Sequence, residues 1–221
     1  MKKIATIIFL CIAAPTGLYA QTAFKDNSGK YGLEDNQGKV IIPGKYDHID
    51  TFSTEGLALV RLSIKYGFID KTGKEVVAPE YYSARGFSEG LAAVAYYDDN
   101  LNAIRWAYVD ITGKKVIYCE KDRIAGPFYY GFAKVMMKDT RKWGVIDKTG
   151  KEIVAPKYDE MDFFSEGMMA VKLDDKWGYI DSTGKEVIPC KYGFAGRFAM
   201  GRALVLSDGE TAHIDKKGAK L

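Results

Sequence analysis

Four carboxylates recur in similar surroundings and could be interpreted as paired general acids and bases. Asp47 and Asp159 follow a Lys-Tyr pair, and Glu89 and Glu166 follow a Phe-Ser pair. A glycosidase needs two carboxylates that flank one sugar linkage. An active site normally occurs once in a chain, whereas these acids recur along the sequence. Their repetition therefore favours turn caps and surface ion partners over catalysis.

The remaining residues with reactive or metal-binding side chains are isolated. His48 and His213 have no cysteine or acid at metal-ligand spacing, so they predict neither a zinc site nor a catalytic triad. Cys119 and Cys190 hold equivalent places two repeats apart, too far for a disulfide, and are expected to be free. Asp98-Asp99-Asn100 resembles half of a calcium loop but lacks its glycine and distal glutamate. We expect no cofactor and no bound metal.

All these residues are carried by a sequence that repeats six times. An aromatic residue, a glycine or alanine, two apolar residues and an aspartate recur at intervals of 34 to 40 residues. This period is typical of stacked repeat units. The aromatic residues are Tyr31, Tyr66, Trp106, Trp143 and Trp177, and Thr211 takes their place in the last copy.

Each aspartate opens an Asp-x-x-Gly-Lys sequence, which predicts a β-hairpin turn. The Asp side chain would cap the turn, and the glycine would adopt the left-handed conformation after a type I turn. A short strand ended by proline, as at Pro79, Pro156 or Pro189, follows the turn, and an alternating strand such as 91–96 precedes the next aromatic residue. The turn glycines are Gly38, Gly73, Gly113, Gly150, Gly184 and Gly218.

These strands predict an all-β fold of tandem three-stranded antiparallel hairpin units in an elongated, twisted β-array. A single three-stranded sheet cannot bury its apolar face, so the units must stack. A closed six-bladed propeller is the alternative architecture. One domain is expected over residues 21–221, with units at about 21–45, 56–80, 91–120, 132–157, 168–191 and 202–221.

The repeated aromatic residues have two interpretations. They could stack on sugars, or they could pack each hairpin against the next, which we favour because each lies beside a glycine or alanine. A ligand face is expected instead on the connecting segments and on the long hairpin tip at 97–103. On the connecting segments the alternative is that the aromatic residues are apolar lids. The candidate ligand residues are Tyr46, Tyr158, Tyr192, Phe87, Phe164, Tyr97, Asp98 and Asp99.

The ends and the charge balance predict the compartment and exclude some partners. Lys2-Lys3 and the apolar run 4–14 predict a signal peptide over residues 1–20, so we expect an exported protein in the periplasm, on the cell surface or in the medium. No later stretch is apolar enough for a membrane span. The remaining 30 basic and 29 acidic side chains alternate, unlike the one-sided basic surface of a nucleic-acid-binding protein.

The segments 142–154 and 176–181 resemble the WG-repeat (KWG) family of bacterial proteins. The resemblance extends over residues 24–221 and rests on the Trp-Gly pair and the Asp-x-x-Gly-Lys, Lys-Tyr-Asp and Phe-Ser-Glu-Gly steps, which recur in that order. It implies a β-hairpin repeat array, often exported, and brings no established catalytic residues. The third unit departs from the pattern, with Ala107, Cys119 and Phe128-Tyr129-Tyr130-Gly131.

These observations predict a non-enzymatic, exported repeat scaffold that mediates protein or cell-envelope interactions. Its partner would be a protein or an envelope polysaccharide, not a nucleic acid. Glycan or peptidoglycan binding through the repeated aromatic residues is the first alternative. The second alternative is an enzyme whose site lies in the degenerate third repeat, around Cys119 and Arg123.

Overall fold

The computed structural model describes residues 21–221, which contain 22 β-strands in six antiparallel sheets. The predicted signal peptide, residues 1–20, lies outside the described residues. Within the described part of the chain no helix is long and apolar enough to cross a membrane. The predicted all-β tandem array is confirmed.

Each sheet is a meander of strands that follow one another in the sequence. Sheet 1 contains β1 (Thr22–Lys25), β2 (Tyr31–Glu34) and β3 (Val40–Tyr46). Sheet 2 contains β4 (His48–Ile49), β5 (Leu57–Leu62), β6 (Lys65–Asp70) and β7 (Glu75–Tyr81). Sheet 3 contains β8 (Ser83–Ala84), β9 (Leu91–Asp98), β10 (Ala103–Asp110) and β11 (Lys115–Tyr118).

The second half of the chain repeats this order. Sheet 4 contains β12 (Arg123–Tyr129), β13 (Phe132–Met137), β14 (Trp143–Asp147) and β15 (Glu152–Tyr158). Sheet 5 contains β16 (Glu160–Met161), β17 (Met168–Leu173), β18 (Lys176–Asp181) and β19 (Glu186–Tyr192). Sheet 6 contains β20 (Phe194–Ala195), β21 (Arg202–Ser207) and β22 (Glu210–Asp215). Among residues 21–221 no strand of sheet 1 pairs with a strand of sheet 6.

Four of the six sheets have a strand more than the sequence predicts. The extra strand is the first of each sheet, and in β4, β8 and β16 it is only two residues long. In sheet 5 it consists of Glu160 paired with Lys172 and Met161 paired with Val171. Two residues cannot show the alternation that identifies a strand in sequence, so these segments were expected to be irregular connections.

The prolines do not end the strands, contrary to the prediction. Trp177 pairs with Tyr192 and Tyr179 pairs with Ile188, so a four-residue step on β19 opposes a two-residue step on β18. A bulge therefore carries β19 past Pro189. A Cβ atom at Gly178 would lie 2.5 Å from the Ile188 carbonyl oxygen, so the glycine beside the tryptophan is required by the bulged strand, not by the ring alone.

The Asp-x-x-Gly-Lys turns form as predicted and also pack against the preceding sheet. The Asp70 carboxylate accepts hydrogen bonds from the N–H groups of Thr72 and Lys74, at 2.8 and 3.1 Å. Gly73 has a φ of +84°, and a Cβ atom there would lie 2.6 Å from a side-chain carbon of Ile42 in sheet 1. This glycine is therefore needed both for its conformation and for close contact between sheets.

The hydrophobic core consists of five clusters, one between each pair of consecutive sheets. We number these interfaces junctions 1 to 5, so that junction 4 lies between sheets 4 and 5. No sheet has a separate core of its own among these clusters. Each sheet is therefore stabilised by its neighbours, as in other repeat proteins.

A phenylalanine near the start of a sheet packs against an aromatic residue of the preceding sheet. The ring centroids of Phe128 and Tyr108 are 4.8 Å apart across junction 3, and those of Phe198 and Tyr179 are 4.9 Å apart across junction 5. Both tyrosine hydroxyls also donate hydrogen bonds of 2.7 Å to carbonyls of the next sheet. Trp106 is buried, and the partly buried Trp143 and Trp177 pack against the clusters, which supports the packing interpretation of the repeated aromatic residues.

Candidate functional site

Five of the eight candidate ligand residues are buried, so their predicted exposure is wrong. Tyr46, Tyr158 and Tyr192 are at most 5% exposed, and Phe87 and Phe164 are 6% and 7% exposed. Each belongs to a junction cluster. The tyrosines lie at the ends of the bulged strands and pack against the next sheet, and the phenylalanines lie just after the first strand of their own sheet. On the connecting segments the apolar-lid interpretation is therefore correct.

The long hairpin tip between β9 and β10 is exposed but internally bonded. Tyr97 and Asp99 are exposed, and the Tyr97 hydroxyl bonds to Asn102. The Asp98 carboxylate lies 3.0 Å from the Arg105 guanidinium and accepts a hydrogen bond from the Asn100 N–H. Asp98 is therefore a cap and an ion partner. Among residues 21–221 no three His, Cys, Asp or Glu side chains converge as metal ligands.

Cys119 and Arg123 lie together in the third repeat, beside a cavity of about 80 Å³. The Cys119 side chain is buried, and burial raises the pKa of its thiol to about 11. The thiol is therefore protonated at neutral pH and is a poor nucleophile. The Arg123 guanidinium lies 2.6 and 2.7 Å from the carboxylates of Glu120 and Glu152. This arrangement is a stabilising ion-pair cluster around a buried thiol.

Asp47 and Asp159 cap hairpin turns, because their carboxylates accept hydrogen bonds from the N–H groups of Ser63 and Asp174. Asp47 lies 2.6 Å from Lys30, and Asp159 lies 2.5 Å from Lys142. Hydrogen bonds from these lysines are the largest cause of the lowered pKa of each aspartate. Both groups are therefore ionised at neutral pH, whereas the general acid of a glycosidase needs a raised pKa.

Three glutamates bond one sheet to the next, and we call Glu55, Glu89 and Glu166 the junction glutamates. Glu55 accepts a hydrogen bond from the Gly90 N–H at 2.7 Å across junction 2. Glu89 accepts one from Gly131 at 3.0 Å across junction 3, and Glu166 accepts one from Gly201 at 3.0 Å across junction 5. In each case a glutamate carboxylate accepts the hydrogen bond. The donor is the glycine directly after the residue that holds the glutamate's place in the next sheet.

Two further contacts reinforce junctions 3 and 5. Lys148 lies 3.0 Å from the Glu89 carboxylate, and Lys216 lies 3.4 Å from that of Glu166. The hydroxyls of Ser88 and Ser165 donate to the carbonyls of Phe128 and Phe198, at 2.6 and 2.8 Å. Each of these junctions thus carries three polar links of the same kind.

Junction 4 has none of these three links. Tyr130 stands where a junction glutamate is expected, Tyr129 replaces the serine, and Ser182 replaces the lysine. The N–H of Gly167, which corresponds to Gly90, Gly131 and Gly201, finds no acceptor among residues 21–221. The three replacements remove the glutamate, the serine and the lysine of this contact set from one interface and leave the Gly167 donor in place.

Aromatic contacts take the place of the polar links at junction 4. The ring centroids of Phe132 and Phe164 are 4.6 Å apart, and those of Tyr129 and Phe163 are 5.1 Å apart. Tyr130 is 73% exposed and Tyr129 is 43% exposed. A cleft of about 270 Å³, which we call the junction 4 cleft, lies here and is lined by Tyr130, Phe132, Phe164, Ser165, Glu166, Gly167 and Ser182.

A second cleft of about 320 Å³ also borders junction 4, and both Trp143 and Phe163 line it. Lys134 lies 4.1 Å from the centre of the Phe163 ring, and its ammonium group donates to the Met161 carbonyl at 3.0 Å. Burial lowers the pKa of Lys134. Arg197 approaches the same ring and bonds to both carboxylate oxygens of Asp162.

Part of junction 4 is visible in the sequence. Phe128-Tyr129-Tyr130-Gly131 differs visibly from the Phe-Ser-Glu-Gly step. The sequence alone does not show that the glutamate bonds to the next sheet. It also does not show that Ser182 occupies the position of the lysine that pairs with this glutamate at junctions 3 and 5. Only the pairing of the sheets brings these separate departures to one interface.

Comparison with known proteins identifies the repeats. The model of the WG containing repeat matches residues 31–63, 66–98, 106–140, 143–177 and 177–210. No curated protein sequence matches the chain.

Likeness to solved structures is weak. KlHsv2 with loop 6CD replaced by a Gly-Ser linker shows 9% identity and a TM-score of 0.43, over 75% of this chain and 61% of that one. The chain thus spans less than two thirds of that structure's length. The AfRom2 CNH domain shows 9% identity and a TM-score of 0.42, over 90% of this chain and 82% of that one. Neither likeness is close enough to support an argument about shape or function.

Proposed function

The chain belongs to the WG containing repeat family, and from that premise we propose that it is an exported, non-enzymatic scaffold that binds a protein partner in the cell envelope. The tandem sheets provide a rigid support whose core lies entirely between neighbours. Binding is assigned to junction 4, where the regular polar links are replaced.

The observation that carries the proposal is the group of aromatic residues at junction 4. Tyr129 and Tyr130 are exposed beside the partly buried Phe132 and Phe163. Tyrosine and phenylalanine are enriched in protein interfaces, and tyrosine is also enriched in their hot spots. Junctions 2, 3 and 5 instead carry a glutamate bonded to a glycine at the corresponding position.

The absence of catalysis is supported by the state of the reactive groups. The Cys119 thiol is buried with a raised pKa, and the recurrent aspartates have lowered pKa values. Export is supported by the composition of residues 1–20, where a basic start precedes an apolar run.

Site-specific photo-crosslinking in the native envelope tests this function. A photoreactive phenylalanine analogue placed at Tyr130 is expected to crosslink to one reproducible protein. The same analogue at Tyr118, which is 59% exposed on sheet 3, is the matched control. Equal crosslinking from both positions, or none from Tyr130, would contradict the assignment to junction 4.

Glycan binding is the second candidate, favoured by Trp143 and Phe163 in the second cleft. Aromatic rings beside polar groups can stack on sugars. Co-sedimentation of the protein with isolated cell-wall material tests this function, and Phe163→Ala should abolish it. Sedimentation that is unaffected by Phe163→Ala, or absent altogether, would exclude this cleft as a glycan site.

A further inference from the structure

The junction glutamates show how a carboxylate is bound at the edge of these sheets. At three interfaces a glutamate side chain from one sheet accepts the N–H of a glycine in the next. The backbone N–H is a strong donor that must find an acceptor in the protein or in water. The structure therefore contains three occupied copies of one binding arrangement.

Junction 4 contains the same arrangement without its carboxylate. Gly167 has a φ of +80°, close to the +84°, +82° and +75° of Gly90, Gly131 and Gly201. Its N–H therefore belongs to the same backbone turn as those three donors. Gly167 and Tyr130 both line the junction 4 cleft, and the tyrosine does not accept this hydrogen bond.

Junction 2 shows that the arrangement works without a lysine. Ile111 follows Asp110 where Lys148 and Lys216 follow the aspartates of sheets 4 and 6. Glu55 makes no ion pair among the described residues, yet it is held 2.7 Å from Gly90. Burial opposes its ionisation, but the bonds from Gly90 and nearby groups still lower its pKa. Ser182 in place of lysine therefore does not prevent carboxylate binding at junction 4.

A neighbouring glutamate does not prevent it either. Glu166 lines the junction 4 cleft, but its charge is balanced by Lys216 and its carboxylate is engaged by Gly201. At junction 2 the equivalent neighbour is Glu89, which is balanced by Lys148. A second carboxylate is thus accommodated beside a lysine-paired glutamate at one interface of this same chain.

We propose that the junction 4 cleft is a receptor for a glutamate side chain of the partner polypeptide, which completes the hydrogen bond to Gly167. The glutamate carboxylate would accept from the Gly167 N–H and the Ser182 hydroxyl. Tyr130 and Phe132 would cover its aliphatic part and the adjoining peptide. This inference deepens the proposed function and rests on it, since it names the chemistry of the partner group at the same site.

A peptide titration tests the receptor directly. The probe is the blocked pentapeptide Ala-Ser-Glu-Gly-Ala, and its matched control has glutamine in place of glutamate. In ¹H–¹⁵N spectra of the protein, the Gly167 amide signal is expected to shift saturably at millimolar glutamate peptide, while the signals of Gly90 and Gly131 stay in place. The glutamine peptide should bind at least several-fold more weakly. No shift at Gly167, or equal binding of both peptides, would overturn the proposal.

Two variants separate binding from folding. Tyr130 has a φ of +55°, matching the +54° of Glu89 and the +51° of Glu166, so Tyr130→Glu needs no change of backbone. This variant should abolish peptide binding while raising the thermal midpoint, because the receptor is filled by the chain itself. Ser182→Lys should tighten glutamate-peptide binding about two- to fivefold through an exposed ion pair. Unchanged peptide binding in Tyr130→Glu, or weaker peptide binding in Ser182→Lys, would contradict the proposal.

The outcome also distinguishes the receptor from the scaffold function. The Tyr130→Glu variant is also tested with a photoreactive analogue at Tyr129. If this variant no longer binds the peptide but still crosslinks to the partner of the wild-type protein, the glutamate receptor is wrong and the scaffold function stands. Loss of both supports both proposals. If the wild-type position crosslinks to no protein, the scaffold function itself fails.

Discussion

Phe128→Ala should weaken the array at its middle. The Phe128 ring is fully buried, and its centroid lies 4.8 Å from that of Tyr108 in the cluster of junction 3. Emptying a buried phenylalanine site costs about 3 to 5 kcal/mol of unfolding free energy. This is a large fraction of the roughly 5 to 15 kcal/mol that stabilises a typical domain.

The position of the change determines how the protein unfolds. Since the core clusters lie only between neighbours, loss of junction 3 should separate the unfolding of sheets 1–3 from that of sheets 4–6. Urea unfolding followed by circular dichroism and by tryptophan fluorescence is the assay. Trp106 reports on sheet 3, and Trp143 and Trp177 report on sheets 4 and 5. Single, coincident transitions in the wild type should become broad or separate in the variant.

The matched control is Ile64→Ala, in an exposed turn where the side chain is 75% accessible. It should change the unfolding free energy by less than about 0.5 kcal/mol. A loss below about 1 kcal/mol for Phe128→Ala would refute the claim that the phenylalanines hold the sheets together.

Three further outcomes follow from the same contacts. Tyr179→Phe, which removes the 2.7 Å bond to the Gly196 carbonyl, should lower the unfolding free energy by about 1 to 2 kcal/mol in urea titration; no change would mean that water replaces the hydroxyl. The pKa of each junction glutamate is lowered in the fold, so their stabilisation is present above the ordinary glutamate pKa and is lost as pH falls through the folded value. Glu89→Gln should therefore cost at most about 1 kcal/mol at pH 7 and flatten the decline of the urea midpoint as pH falls below the ordinary glutamate pKa; an unchanged pH profile would contradict this. The Cys119 thiol, whose pKa is raised to about 11 by burial, should react with iodoacetamide only after unfolding, and labelling at the rate of a free thiol in native buffer would show that the cavity is open.

The repeat pattern predicts much of the fold because it acts locally. The aspartate-capped turn needs only residues within five positions, and it forms with the predicted glycine conformation at Gly73 and its equivalents. The bulge at Pro189 and the two-residue first strands could not be predicted in the same way. The bulge depends on pairings such as Trp177 with Tyr192, and the two-residue strands depend on pairings such as Glu160 with Lys172, which are distant in sequence.

The candidate site was harder to predict because exposure depends on neighbouring sheets. Tyr158 sits among polar residues in sequence, yet it is fully buried, and burial raises its pKa to about 12. The bulge delivers it to the cluster of the next junction. Conversely, Tyr130 could be recognised as a departure from the repeat, but its consequence for Gly167 appears only when sheets 4 and 5 are placed together.

Amide hydrogen exchange of the equivalent glycines shows whether junction 4 lacks the glutamate link. Gly90 and Gly131 each donate to a glutamate of the preceding sheet, whereas Gly167 has no such acceptor in the described chain. The Gly167 amide should therefore exchange roughly tenfold or more faster than the other two, in line with the value of a hydrogen bond to a charged group. Tyr130→Glu should slow it to their rate. Equal protection of all three amides in the wild-type protein would contradict the account.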